Sequence, residues 1–194
     1  MKIILASKSG VRKKILENNK IDCEVVVSNV DEDEVKSSLL SEGADPLSIS
    51  KNLAEIKSIK VSNKFPDRIV LGADSVISLN NELINKPKSR EESLKILKKL
   101  NNSKHFLISS VCISKNGAMM WNHTSTSELK MKNLSENHLL NYLAKIKTET
   151  LCAYGVYQVE AEGLELFDYI KGDLNSIMGL PINEIINYIK QIKK

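Results

Sequence analysis

Apolar residues along the chain alternate between short β-branched runs and stretches spaced three and four apart. "KIILA" (2–6) reads as a buried strand. "GVRKKILENN" (10–19) reads as a helix with Val11, Ile15 and Leu16 on its apolar face. "CEVVVSNV" (23–30) predicts a second strand, ending in the acidic run Asp31-Glu32-Asp33-Glu34, of which Asp33 and Glu34 read as solvated loop. Asp45-Pro46 opens a long helix, with Asp at the cap and Pro at the first helical position, which stops before "NKFPD". "RIVLGADSVISL" (68–79) is strand-like on both sides of Asp74, and a turn follows at 80–82. "KSREESLKILKKL" (88–100) is an amphipathic helix capped by Ser89.

Residues 105–131 read as two long strands joined at Lys115-Asn116-Gly117. A capped helix follows at 135–146, then a glycine-containing, strand-like region at 153–173, then a closing helix at 182–194. Strands alternating with helices, together with an antiparallel hairpin, predict an α/β fold with a mixed twisted sheet and flanking helices. A length of 194 residues without a linker fits one domain, 1–194.

Composition narrows the function classes. With 42% hydrophobic and 27% charged residues, the chain has the make-up of a soluble globular protein. A net charge of +4, spread along the chain with few aromatics, argues against a nucleic-acid-binding surface. The apolar run in "MKIILAS" is too short for a signal peptide and no segment is long enough for a membrane span, so the expectation is a cytoplasmic protein. Cys23, Cys112 and Cys152 lie far apart with no CxxC spacing, which disfavours a disulfide framework or a zinc knuckle.

Asp74 is the most informative single residue, because an unpaired carboxylate inside an apolar strand is costly. The bland reading ends the strand at Leu71 and makes Asp74 a turn residue. Against it stands the rule that ligands collect beyond the carboxyl ends of strands in open α/β sheets. Ser7 and Ser9 lie where a strand hands over to a helix, so hydroxyls and helix amides form a candidate anion seat, with Arg12 as a positive fork. Taken alone, Ser9 as an ordinary cap explains the same residues. Lys86, before Pro87, could reach back to the cleft of Asp74, and Lys57 lies inside the long helix; neither carries a signal by itself. Asp31, Glu32 and Glu160 are candidate hard-oxygen ligands for a divalent ion beside a polyphosphate. No GxxxxGK[ST], HExxH or Ser-His-Asp arrangement is present.

Taken in order, these pieces resemble the Maf-like nucleotide pyrophosphatases. "LASKSGVRKKIL" is similar to the family's L-A-S-x-S-x-x-R-x-x-(I/L)-L. Val30-Asp31-Glu32, then Leu53, Ala54 and Lys57, then Gly72-Ala73-Asp74 and Lys86-Pro87 follow its later motifs, as do "YQVEAEG", "YIKGD" and "IMGLP". The resemblance implies an elongated two-lobed fold with a cleft, similar to that of inosine triphosphate pyrophosphatases. It implies hydrolysis of a nucleoside triphosphate between its α and β phosphates, with Mg²⁺ or Mn²⁺ as cofactor and a homodimer as a possible assembly. It makes Asp74 the proton acceptor, places Glu32 and Lys86 in the catalytic set, and assigns Asp74 and Glu32 to the metal. Ser7, Ser9, Arg12, Lys57 and Lys86 become triphosphate contacts.

Val11, Ser75 and Glu160 stand where subgroups differ. An apolar residue at 11 and a glutamate at 160 resemble the subgroup acting on 7-methyl-GTP, while Ser75 departs from the glutamine usual there. Glu160 would accept from the guanine N1–H and N2–H₂ edge, with Tyr154 or Tyr157 stacking on the base. The alternatives left open are a pyrophosphatase acting on dTTP or UTP, and a non-catalytic nucleotide-binding regulator linked to septum formation.

Overall fold

The computed structural model describes residues 2–159 and 162–192. Its strands are β1 (Ile3–Leu5), β2 (Cys23–Val25), β3 (Val70–Leu79), β4 (Glu82–Ile84), β5 (Lys104–Lys115), β6 (Ala118–Met131) and β7 (Phe167–Lys171). Its helices are α1 (Gly10–Asn18), α2 (Glu32–Ser41), α3 (Pro46–Ser62), α4 (Arg90–Leu100), α5 (Glu136–Ala144), α6 (Thr148–Tyr154), α7 (Leu174–Ile177) and α8 (Ile182–Gln191), with a 3₁₀ turn at Glu162–Leu166. The mixed α/β architecture agrees with the hydropathy pattern. The sheet is open, in the order β2-β1-β3-β5-β6-β7, with β4 added to β3.

Strands β1 and β2, and β1 and β3, run parallel; the other pairs are antiparallel. The β5–β6 hairpin closes at Asn116-Gly117, both in the left-handed region, as the Asn-Gly pair predicts. Asn80 and Asn81 do the same for β3 and β4, so the expected turn is followed by a short strand that the hydropathy pattern does not register. The long hairpin extends on the order of 40 Å. Apolar residues gather into two large clusters. One lies under β1, α1 and α8, and the other between the distal sheet, α4, α5 and α6.

Other elements differ from the sequence reading. Strand β2 stops at Val25, since only Cys23–Val25 has β1 to pair with. The acidic run is a helix start: Asp31 caps α2 through Glu34 N, and Glu32, Asp33 and Glu34 occupy its first turn. Three carboxylates there suit the positive end of the macrodipole, a signal that outweighs the apparent solvated-loop composition. The region at 153–173, expected to be strand-like, begins as the end of α6 and becomes a strand only at Phe167. Residues without strong periodicity took the structure their neighbours allowed.

Candidate active site

Strand β3 runs straight through Asp74, so neither the turn reading nor placement beyond a strand end describes it. From Val70 to Ser78 it pairs with β5 on one edge. On the other edge β1 pairs only at Val70 and Leu71, and β4 only from Ile77 to Leu79. On that second edge residues 72–76 therefore have no partner strand among the described residues, and a cleft of about 420 Å³ opens there. The cleft does sit beyond the carboxyl end of β1, whose last residue pairs with Leu71.

Strand alternation splits the site between the two faces of β3. On one face, α3 lies directly on the strand. A Cβ added at Gly72 would come within 2.2 Å of the Ala54 carbonyl oxygen and 2.7 Å of Ser58 N. Ser58 Oγ donates to the Val70 carbonyl at 3.0 Å, and Ser50 Oγ reaches that of Asp74 at 3.4 Å. This close approach delivers Lys57 to Asp74: Nζ lies 2.7 Å from Asp74 Oδ1 and 2.7 Å from Glu32 Oε1. Both Lys57 and Asp74 are 5% exposed, so this lysine is no solvated surface residue. Asp74 Oδ2 is buried and has no hydrogen-bond partner among the described residues. Burial alone would raise the Glu32 pKa, but Lys57, with Lys86 and Lys36 behind it, holds the carboxyl below its ordinary range.

On the opposite face, the Arg12 guanidinium is enclosed by neutral acceptors. Nε donates to the Gly179 carbonyl at 2.9 Å, Nη1 to that of Ala73 at 3.0 Å and to Ser7 Oγ at 3.2 Å, and Nη2 to Ser75 Oγ at 3.1 Å. Its burial lowers the Arg12 pKa, an effect that Asp74 and Glu32 offset in part. Ser75 Oγ also pairs with Ser109 Oγ at 2.9 Å. Gly179 has φ +99°, and a Cβ there would crowd Ser75 and Arg12, so a glycine seats the α7–α8 turn against the guanidinium.

Ser9 is the N-cap of α1 through Arg12 N, and its own amide donates to Ser7 Oγ. The cap leaves the Gly10 and Val11 amides of the first turn without intrahelical partners, and Val11 lines the cleft. Val11 is half-buried between the cleft and the α1–α8 cluster. Lys86 Nζ donates to the Ala153 carbonyl at 3.0 Å across the cleft. Desolvation, then repulsion from Arg12, lowers its pKa; Glu32 and Asp74 counter this in part, and Lys57 adds to the repulsion.

The structure thus brings together Ser7, Ser9, Val11, Arg12, Glu32, Lys57, Asp74, Ser75 and Lys86 around one cleft. Glu160 lies outside the described residues. Of the two tyrosines, Tyr157 is packed in the core, donating to or accepting from His105 Nε2 at 2.9 Å and edge-on to Phe167. Tyr154 is the exposed one on the cleft wall. Sequence reasoning passed over Gly72 as a packing residue, along with Ser50, Ser58, Ser109 and Lys36. The serine-alanine spacing Ser50, Ala54, Ser58 on α3 was the available signal of a helix lying close on a strand.

A profile of the Maf-like protein family matches residues 2–192. The "Nucleoside triphosphate pyrophosphatase" of Pelagibacter ubique is 59% identical over 98% of this chain and 98% of that protein. The "7-methyl-GTP pyrophosphatase" of Brucella abortus is 34% identical over 100% of this chain and 97% of its own length. The solved structure of a nucleoside-triphosphatase (dITP/XTP pyrophosphatase) from Mycobacterium abscessus superposes on 100% of this chain and 94% of that one, at 12% identity and a TM-score of 0.45. With a family match spanning nearly its whole length and a relative this similar, the chain belongs to the Maf-like protein family.

Proposed function

We propose that the chain is a nucleoside triphosphate pyrophosphatase that releases a nucleoside monophosphate and pyrophosphate. The observation that carries this reading is the convergence, at the open edge of β3, of the Asp74–Lys57–Glu32 cluster with Arg12, Lys86 and the first turn of α1. Phosphoryl-type substitution needs positioned cations around the phosphates and a group that takes a proton from water. Helix amides, Ser7, Ser9 and Lys86 hold the triphosphate, and the α1 N-terminus adds positive potential. Asp74 is the carboxylate that accepts the proton; Lys57 holds its Oδ1, and Oδ2 has no hydrogen-bond partner among the described residues. Water attacks the α-phosphorus, the bond to the α–β bridging oxygen breaks, and pyrophosphate leaves. Arg12, bound to four neutral acceptors, keeps the α1 turn, β3 and the α7–α8 turn in register around the phosphates.

A divalent ion fits this donor set in a limited way. Among the described residues no group of three or more His, Cys, Asp or Glu is placed to hold one. Asp74 and Glu32 are the residues whose hard oxygens would hold Mg²⁺ or Mn²⁺ beside the phosphates, two carboxylates being enough for an ion that keeps several waters. When bound, such an ion supplies charge neutralisation and a more acidic water.

The finer reading is a modified guanine nucleotide such as 7-methyl-GTP. Support comes from the apolar Val11 at the cleft, from exposed Tyr154 on its wall as a stacking surface, and from the name of the Brucella relative. The chain acts as a single domain, with lobes built on the two apolar clusters either side of the cleft. Pyrophosphate release from a panel containing 7-methyl-GTP, GTP, dTTP and UTP, with Mg²⁺ or Mn²⁺, tests both levels. Turnover of 7-methyl-GTP well above the others is expected. A preference for dTTP or UTP would overturn the substrate, and nucleotide binding without any turnover would favour the regulator. Asp74→Asn is expected to lower turnover by about 10²–10⁴-fold while circular dichroism stays unchanged. Full activity in that variant would remove Asp74 from the role of base.

A further inference from the structure

We propose that Lys57 is a built-in cation that holds the carboxylate pair until a divalent ion arrives together with a nucleotide. Metal and triphosphate then bind as one coupled event. The inference rests on the reading of the cleft as a triphosphate site and adds the order in which that site fills.

The geometry leaves a free metal ion no vacant pair of solvent-accessible oxygens on the two carboxylates. Lys57 Nζ sits 2.7 Å from both Asp74 Oδ1 and Glu32 Oε1. Glu32 Oε2 is turned towards Lys36 at 3.9 Å. Asp74 Oδ2 carries no partner among the described residues but is sealed from solvent. A magnesium- or manganese-sized ion bonds carboxylate oxygen at roughly 2.1 Å and needs the lone pairs that Lys57 is using. An ammonium and a divalent cation on the same oxygens repel each other strongly at that separation.

Nor can Lys57 simply step aside. It is 5% exposed, and α3 is held on β3 by Ser50, by Ser58 and by the absence of a side chain at Gly72. A free metal ion would leave the ammonium buried and unneutralised, which is the costly half of a broken ion pair. A triphosphate removes that cost. Its oxygens accept the ammonium, which swings on a flexible four-carbon stem, and the vacated Asp74 Oδ1 and Glu32 Oε1 would hold the accompanying metal ion. Such coupling is reciprocal: nucleotide tightens metal binding by the same factor that metal tightens nucleotide binding.

The test measures Mn²⁺ affinity by calorimetry and by electron paramagnetic resonance, with and without an α,β-methylene analogue of the preferred nucleotide, after correction for Mn²⁺ bound to analogue in solution. Wild-type protein is expected to bind Mn²⁺ at least 10-fold tighter with the analogue than without it. Lys57→Met is expected to bind Mn²⁺ alone at least 10-fold tighter than wild type and to lose most of the coupling. Mn²⁺ alone should raise the Tm of Lys57→Met but not that of wild type. Lys57→Gln, which keeps a donor for the carboxylates, should show the same rise in Mn²⁺ affinity, so the question stays answerable if the methionine variant does not fold. Mn²⁺ affinity that is unchanged or weaker in the folded variant would overturn the proposal, as would wild-type protein that binds Mn²⁺ equally well with and without analogue. If the analogue itself fails to bind, with or without Mn²⁺, the triphosphate reading falls and this inference with it.

Discussion

Lys86 lines the cleft with its ammonium on the Ala153 carbonyl, within electrostatic reach of Arg12 and of the Glu32 and Asp74 carboxylates. Desolvation and Arg12 together lower its pKa from the ordinary lysine range. A group with a lowered pKa loses its charge at lower pH, so the phosphate-holding cation of the free enzyme is lost early on the alkaline side. The alkaline limb of kcat/KM is therefore expected below the ordinary lysine range, and Lys86→Arg should move it upward while KM rises. An alkaline limb that stays put in Lys86→Arg would assign it to another group. At the same scale, the cationic Arg12, which reads in sequence as a phosphate fork, has most of its donors committed inside the protein. A positive side chain near a phosphate seat is visible in sequence, but its hydrogen-bond partners, 61 to 167 positions away in the chain for three of the four bonds, are not.

At the scale of elements, the decisive contact is α3 on β3. Gly72 has no room for a Cβ against the Ala54 carbonyl and Ser58, and Lys57 and Asp74 meet because that contact is so close. Gly72→Ala forces the helix away from the strand by backbone displacement, which cannot be relieved by rotating a side chain. A loss of about 1–3 kcal/mol in denaturant-unfolding stability is expected. Because the displaced helix carries Lys57, turnover should fall by more than the unfolded fraction explains. Wild-type stability in Gly72→Ala would show that the helix has slack. Helix caps were legible in the sequence: Asp45 caps α3 through Ser48 N, and Ser89 caps α4 through Glu92 N. The helix over Glu32–Ser41 was not, since a run of four acids looks like solvent-facing loop until its place at a helix N-terminus is known.

Across the whole molecule, the distal half is held by a core in which His105 is fully buried, paired with Tyr157 and packed near Phe167. Burial lowers the His105 pKa to about 4 from 6.5, with the Ser103 backbone opposing the shift in part. The unfolded chain therefore takes up a proton at His105 between pH 6.5 and about 4 that the folded protein refuses. Stability from this group is fully present above pH 6.5, declines through that window by about 3 kcal/mol, and is level below it. Urea unfolding at a series of pH values should show this slope, and His105→Gln should flatten it. An unchanged slope in the variant would place the acid sensitivity elsewhere. No helix of the described residues is long and apolar enough to cross a membrane.

The sequence by itself determined the α/β class, the long Asn-Gly hairpin, the capped helices and the residue types gathered at the cleft. These depend on periodicity, turn chemistry and short-range spacing, which are local properties of the chain. Only the tertiary structure decided how those residues are used. It decided that β3 continues through Asp74, because pairing with β5 sustains it, and that the gap between β1 and β4 on its other edge, along 72–76, makes the cleft. It decided that Asp74 and Ser75 face opposite sides of the sheet, and that Lys57 clamps Asp74 and Glu32. Those outcomes depend on contacts between residues far apart in the chain, whose geometry no local pattern encodes.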